Sequence, residues 1–200
     1  MRHRERIRKD FYYKKAKAEG YRSRAAYKLK QINDKFRIIK EGDIVIDLGA
    51  APGGWIQVAH EIVGEKGFIL GVDIEYIKPL PWDNIRILQE DITDPAIGEK
   101  IKIKLTKEKA DVVLSDLSPK VSGNWNLDHE KQIYLSEKAL EIALKVLKKR
   151  GHFLTKIFQG RTADDFILKM KRGFKYVRLF KPMASRKRSA EIYVIAKWKT

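Results

Sequence analysis

The apolar positions of this chain follow two periods that alternate along its length. Runs over 44–48, 68–73, 85–88, 111–116 and 152–158 are nearly continuous in Val, Ile, Leu and Phe. Strands covered on both faces have this pattern. Between them the spacing turns helical. Ala25, Leu29, Ile32 and Phe36 recur on one helical face, and Ser23 stands where an N-cap belongs. Further helices are predicted over 55–63, between 95 and 105, over 130–149 with Gly151 closing it, and over 163–172 with Gly173 stopping it. Two last strands are expected over 176–180 and 192–197. Strands alternating with helices predict an α/β fold, a mostly parallel seven-stranded sheet with helices on both faces. No repeat or linker interrupts the pattern, so 23–200 reads as one domain behind a basic, partly helical lead-in at 1–22.

In such a sheet the ligand sits beyond the carboxyl ends of the strands, where the strand order reverses. Strands one to four end at or near Asp47, Asp73, Asp91 and Asp116. A single aspartate there is an ordinary turn residue, whereas four in register at one edge point to a ligand. The first turn reads Asp47-Leu48-Gly49-Ala50-Ala51-Pro52-Gly53-Gly54-Trp55, and small residues such as Gly49 and Gly53 let a ligand approach the backbone. A dinucleotide would need the G-x-G-x-x-G spacing, which glycines at 49, 53 and 54 do not have. S-adenosylmethionine carries no phosphate and needs an acid for its ribose, a polar group for its adenine and a small-residue turn. Asp73, 24 residues after Gly49, has the spacing of a ribose acid. Asp91, or the backbone near Ile92, can reach the adenine.

Charge adds a second ligand. The formal net charge is +17, but residues 41–130 carry 9 basic and 17 acidic side chains, while 131–200 carry 19 basic and 5 acidic. Residues 1–40 carry 15 basic and 4 acidic. Basic ends around an acidic middle suggest a polyanion at the ends and a different ligand between them. Arg2, Arg4, Arg6, Arg8, Lys9, Lys14, Lys15 and Lys17 are interleaved with Phe11, Tyr12 and Tyr13. Arg178, Lys181, Arg186, Lys187 and Arg188 form a later basic group. Cations for phosphates and aromatics for unpaired bases are what RNA binding needs. Lys148 and Lys149 are read instead as decoration of a helix face. Cysteine is absent, which excludes disulfides, Cys-ligated metal centres and thiol nucleophiles. The four histidines show no metal-site spacing, and no metal is expected. No apolar run approaches a membrane span, and no apolar segment follows the basic N-terminus, so a cytoplasmic location is expected.

The turn at 47–55 resembles the cofactor loop of the FtsJ/RrmJ family of RNA 2′-O-ribose methyltransferases. Arg22-Ser23-Arg24-Ala25-Ala26-Tyr27-Lys28-Leu29, Ser115-Asp116-Leu117-Ser118-Pro119, Lys156-Ile157-Phe158-Gln159-Gly160 and Ser185-Arg186-Lys187-Arg188-Ser189-Ala190-Glu191 resemble its other blocks, in order. Ser118-Pro119-Lys120 departs from the bacterial Ala-Pro-Asn. The resemblance implies a Rossmann-like class I methyltransferase domain over 23–200 that uses S-adenosylmethionine. It carries the family's Lys-Asp-Lys-Glu tetrad onto Lys28, Asp116, Lys156 and Glu191, with Lys156 as general base. Its cofactor positions fall on Gly53, Trp55, Asp73, Asp91 and Asp116.

The chemistry suits these residue types. A ribose 2′-hydroxyl is a weak acid, and a base of matched pKa helps remove its proton. A lysine amine serves once burial and nearby cations favour its neutral form. Lys156 stands between Thr155 and Ile157 inside an apolar strand, where a charge is costly without a partner or a function. Asp116 would orient Lys156, Lys28 would hold the hydroxyl or a phosphate, and Glu191 would position Lys28. The implied acceptor is a uridine ribose of large-subunit ribosomal RNA, with the transfer-RNA anticodon loop as the alternative, and the expected enzyme is a monomer. A reading of another class is a non-catalytic RNA-binding protein with a vestigial cofactor pocket.

Overall fold

A computed structural model describes residues 11–200. The chain forms α1 (11–18), α2 (Ala26–Phe36), β1 (Ile44–Leu48), α3 (Gly54–Val63), β2 (Phe68–Asp73), β3 (Ile85–Gln89), α4 (Ile97–Lys104), β4 (Ala110–Ser115), α5 (Trp125–Val146), β5 (Leu147–Phe158), α6 (Ala163–Gly173), β6 (Phe174–Phe180) and β7 (Glu191–Lys199). The seven strands make one sheet in the order β3-β2-β1-β4-β5-β7-β6. β1 to β5 run parallel, and β7 pairs antiparallel with both β5 and β6. The order reverses between β1 and β4, so their carboxyl ends define the ligand edge.

Alternation along the strands divides the core. Ile44, Ile46 and Leu48 pack with Ile101, Leu140, Ala143 and Phe166 of α4, α5 and α6 on one face. Val45, Ile69 and Leu154 pack with Leu29, Ile32, Ile56 and Val58 of α2 and α3 on the other. Each buried Leu or Ile contributes about 1.5–3 kcal/mol. α1 lies outside these layers and seats Ala16 against Tyr27 and Ala184. No described helix is long and apolar enough to cross a membrane.

Three helix ends depart from the sequence reading. Ser23 does not cap α2; Ala25, itself helical, precedes the helix without a side-chain cap. The Ser23 hydroxyl lies against α3 instead, where a Cβ on Gly54 would come within 2.3 Å of it. α5 begins at Trp125 rather than near 130, because Asn124 caps it by accepting from the N–H groups of Asn126 and Leu127 at 3.1 and 3.3 Å. It also ends earlier, at Val146. Leu147 is extended and buried, and pairs with Ala110 of β4. β5 therefore begins at Leu147, and Lys148 and Lys149 lie on it and not on a helix. Gly151 serves the β-irregularity between the Ala110 and Val112 pairings rather than a helix cap. A Cβ there would stand 3.0 Å from the Asp111 and Lys148 carbonyl oxygens.

Candidate active site

The turn after β1 is built on two left-handed glycines, Gly49 (φ 79°) and Gly53 (φ 109°), around a cis Ala51–Pro52 bond. A Cβ on Gly49 would meet the Leu117 side chain at 2.9 Å and its backbone nitrogen at 3.1 Å, so turn and β4 exit approach as only glycine permits. Asp73, the last residue of β2, spans this turn. One of its oxygens accepts from the Ala51 N–H and the other from the Glu75 N–H, both at 2.8 Å. Asp91 follows β3 and accepts from the Thr93 N–H and hydroxyl at 2.8 Å. Ile92 beside it is buried. The Trp55 indole N–H donates to the Ala25 carbonyl at 2.8 Å and its ring lies 5.9 Å from that of Tyr193, tying the turn to α2 and β7.

Asp47 sits inside β1, between β2 and β4, fully buried and with neither carboxylate oxygen partnered. Burial pushes its carboxyl well above the ordinary range, and the nearby charges of Asp116 and Asp73 push the same way. An orphaned buried acid two residues before the Gly49 turn fits a ligand with a positive or proton-donating group.

The four tetrad positions come together from four elements. Lys28 on α2 and Glu191 at the start of β7 pair at 2.8 Å. Lys156 on β5 donates to the Asp116 carbonyl at 2.9 Å and lies 3.2 Å from the Asp116 carboxylate. Strand alternation puts Lys156 on the α2 face with Leu154, opposite Tyr193 in the β5–β7 register. Tyr193 joins the two pairs: its hydroxyl donates to Asp116 at 2.8 Å, and Lys28 stands 5.6 Å from its ring centroid. The Lys156 carbonyl accepts from Gln132 and Ser136 of α5, each at 3.0 Å, which fixes the strand behind it.

Burial would raise the Asp116 carboxyl, but the Lys156 and Lys28 ammonium groups and the Tyr193 hydroxyl hold it below the usual range. Glu191 is held low in the same way, with Lys28 outweighing burial. Burial pushes the Tyr193 hydroxyl well up, so it remains a donor. The cluster thus alternates two lysine side chains with two carboxylates at the ligand edge. Tyr193 was not singled out from sequence. Its signal was the period-two pattern of β7, which puts it on the face of Glu191.

Of the basic groups, Lys14, Lys15 and Lys17 are exposed on α1, and Arg186, Lys187 and Arg188 are exposed before β7. Lys181 is committed to the Ser189 carbonyl at 2.6 Å. Phe11 and Tyr13 are exposed, but Tyr12 packs on Tyr27 at 5.4 Å. Arg2, Arg4, Arg6, Arg8 and Lys9 lie outside the described residues. Among the described residues no group of three His, Asp or Glu side chains is placed to hold a metal.

A parallel sheet carrying an antiparallel β7, a glycine turn with strand-end acids and no dinucleotide spacing define a Rossmann-like methyltransferase fold. Residues 21–199 match the profile of the FtsJ-like methyltransferases, and the chain belongs to that family. It is 51% identical to a ribosomal RNA large subunit methyltransferase E of Methanocaldococcus jannaschii, over 95% of this chain and 78% of the relative. It is 54% identical to the protein of the same description from Methanothrix thermoacetophila, over 96% and 73%. A crystal structure described as a ribosomal RNA methyltransferase of Plasmodium falciparum superposes with a TM-score of 0.79 at 28% identity, covering 90% of this chain and 98% of that one.

Proposed function

We propose that this protein transfers a methyl group from S-adenosylmethionine to the 2′-hydroxyl of a ribose in RNA, and that the acceptor is a uridine of large-subunit ribosomal RNA. The observation that carries the reading is the Lys28–Glu191 and Lys156–Asp116 cluster, joined through Tyr193 beside the Gly49–Gly53 turn. The names of the relatives support the ribosomal acceptor. When bound, S-adenosylmethionine supplies a methyl group on a positively charged sulfur.

Gly49 and Gly53 open the turn to its methionine part, Asp73 holds its ribose hydroxyls, and Asp91 with the backbone at Ile92 holds its adenine. Asp116 contributes on both sides, as a cofactor residue and as the partner of Lys156. Lys156, as a neutral amine once its ammonium has lost a proton to solvent, would take the proton of the 2′-hydroxyl as that oxygen bonds to the methyl carbon and the methyl–sulfur bond gives its electron pair to the sulfur. Asp116 aims the Lys156 amine through two contacts, and Tyr193 fixes Asp116. Lys28, held by Glu191, anchors the ribose hydroxyl or the adjoining phosphate. General base action contributes about 10²–10⁴ in rate, and alignment can supply about 7–11 kcal/mol.

The test is methyl transfer from labelled cofactor to unmodified large ribosomal subunits, their naked RNA and bulk transfer RNA in parallel, followed by mapping of 2′-O-methyl ribose. Label on a uridine ribose of the ribosomal RNA is expected. Label confined to transfer RNA would replace the acceptor and keep the chemistry. Binding of RNA and cofactor with no label on any RNA would leave a non-catalytic RNA-binding protein.

A further inference from the structure

A cavity of about 350 Å³ lies at the end of the sheet opposite the tetrad. Lys40 precedes β1, Asp111 is in β4, Lys149, Arg150 and His152 are in β5, and Trp198 is near the end of β7. Trp198 stands seven residues after Glu191 along β7, about 23 Å at the rise of a strand. This cavity cannot be part of the methyl-transfer site.

Its charges are unevenly satisfied. Asp111 is committed to the Ile44 N–H at 2.7 Å and to Lys148. Asp43 accepts from the Lys40 N–H at 2.8 Å. Among the described residues Lys40, Lys149 and Arg150 line the cavity with no carboxylate within ion-pair distance, and only Lys40 feels a carboxylate of the lining, that of Asp43. His152 accepts from the Trp198 N–H through Nδ1 at 3.3 Å. Burial first, then Lys197, pushes the imidazole down to about 4, so it stays neutral and the lining stays net positive.

The backbone is strained at the same place. Among the described residues three non-glycine residues have left-handed φ, and two of them, Arg150 (66°) and Trp198 (61°), line this cavity. L-residues adopt that conformation at a cost, and such residues collect at binding sites. A concave space at the small end of ligand sites, with three cations outside any ion pair and a partly exposed indole, has the chemistry of a nucleotide site.

We propose that this cavity is a second RNA contact, in which Lys40, Lys149 and Arg150 hold a backbone phosphate while the Trp198 ring packs against that nucleotide. The contact rests on the RNA reading above and anchors the acceptor far from the reacting ribose. An isolated phosphate offers the same anion without the flanking chain, and an acidic protein surface offers carboxylates to the same cations. The connected nucleotide is favoured because the aromatic and the cations share one cavity.

Three measurements test it: RNA affinity against salt, cofactor affinity, and photocrosslinking of 4-thiouridine RNA mapped to peptides. The variants are Arg150→Gly and the double variant Lys40→Ala with Lys149→Ala. Arg150→Gly relieves the left-handed backbone, so its thermal midpoint should hold or rise, which separates lost contact from lost fold. Both variants should raise the RNA dissociation constant about three- to tenfold and flatten the salt slope by about one, with cofactor affinity unchanged and wild-type crosslinks near Trp198 or 148–152. Wild-type affinity and slope in both variants would overturn the proposal. So would saturation of the cavity by inorganic phosphate more tightly than by RNA, or a loss of binding to ribosomal subunits with none to naked RNA. RNA binding without methyl transfer by the wild-type chain would defeat the enzymatic reading and leave this contact standing.

Discussion

Asp73 ends β2 and Asp47 lies inside the neighbouring β1, and the two do different work. Asp73 holds two backbone N–H groups of the turns on either side of it, and in the proposed reaction it also holds ribose hydroxyls. Removing hydrogen bonds to a charged group costs about 1.5–3 kcal/mol. Asp73→Ala should therefore weaken S-adenosylmethionine binding about ten- to a hundredfold in calorimetry, and an unchanged dissociation constant would refute the ribose role. Asp47 has no partner, and burial raises its carboxyl. The folded protein then binds more protons than the unfolded chain once pH exceeds the ordinary carboxylate value of about 4, so Asp47 takes away stability as pH rises. Asp47→Asn removes that titration. In cofactor-free protein the variant should gain on wild type in thermal midpoint between pH 4 and 8, and a pH-independent difference would contradict the assignment. Asp116 and Glu191 run the other way: their lowered carboxyls add stability above the unfolded value and lose it as pH falls through the folded one.

The elements explain why these residues meet. The β1 turn needs Gly49 at φ 79° with Leu117 packed against it. Gly49→Ala combines a strained φ with a close contact, so it should cost about 1–3 kcal/mol in denaturant unfolding and weaken cofactor binding with it; wild-type stability would show that the turn tolerates a Cβ. The strands were readable because buried parallel strands are written as apolar runs, and the acids at their ends marked the ligand edge. The grouping of Lys28, Asp116, Lys156 and Glu191 was legible only through the family resemblance, because they come from distant parts of the chain and no spacing links them. What sequence did not carry was tertiary choice. The end of α5 is set by Leu147 pairing with Ala110, its start by the Asn124 cap, and the role of Ser23 by its packing on Gly54. Local helical pattern is silent on all three. The same is true of Lys148 and Lys149, whose place on β5 follows from the α5 boundary.

Across the whole molecule, the acidic middle of the sequence forms much of the ligand edge, while the basic ends supply exposed cations on α1 and before β7. A polyanion held by these groups must release counterions. Four or more phosphate contacts on single-stranded RNA give a slope of log affinity against log salt of about −3 or steeper, and a slope near zero would remove RNA phosphates as the partner of this surface. In the proposed reaction the cluster around Lys156 performs methyl transfer at the edge formed by the β1 turn and the β4 exit. The most direct test is Lys156→Ala, with cofactor affinity and the rate of methyl transfer to ribosomal RNA measured on one preparation. Cofactor binding should be unchanged and the rate lower by about 10²–10⁴. A wild-type rate in that variant would contradict this role of the cluster.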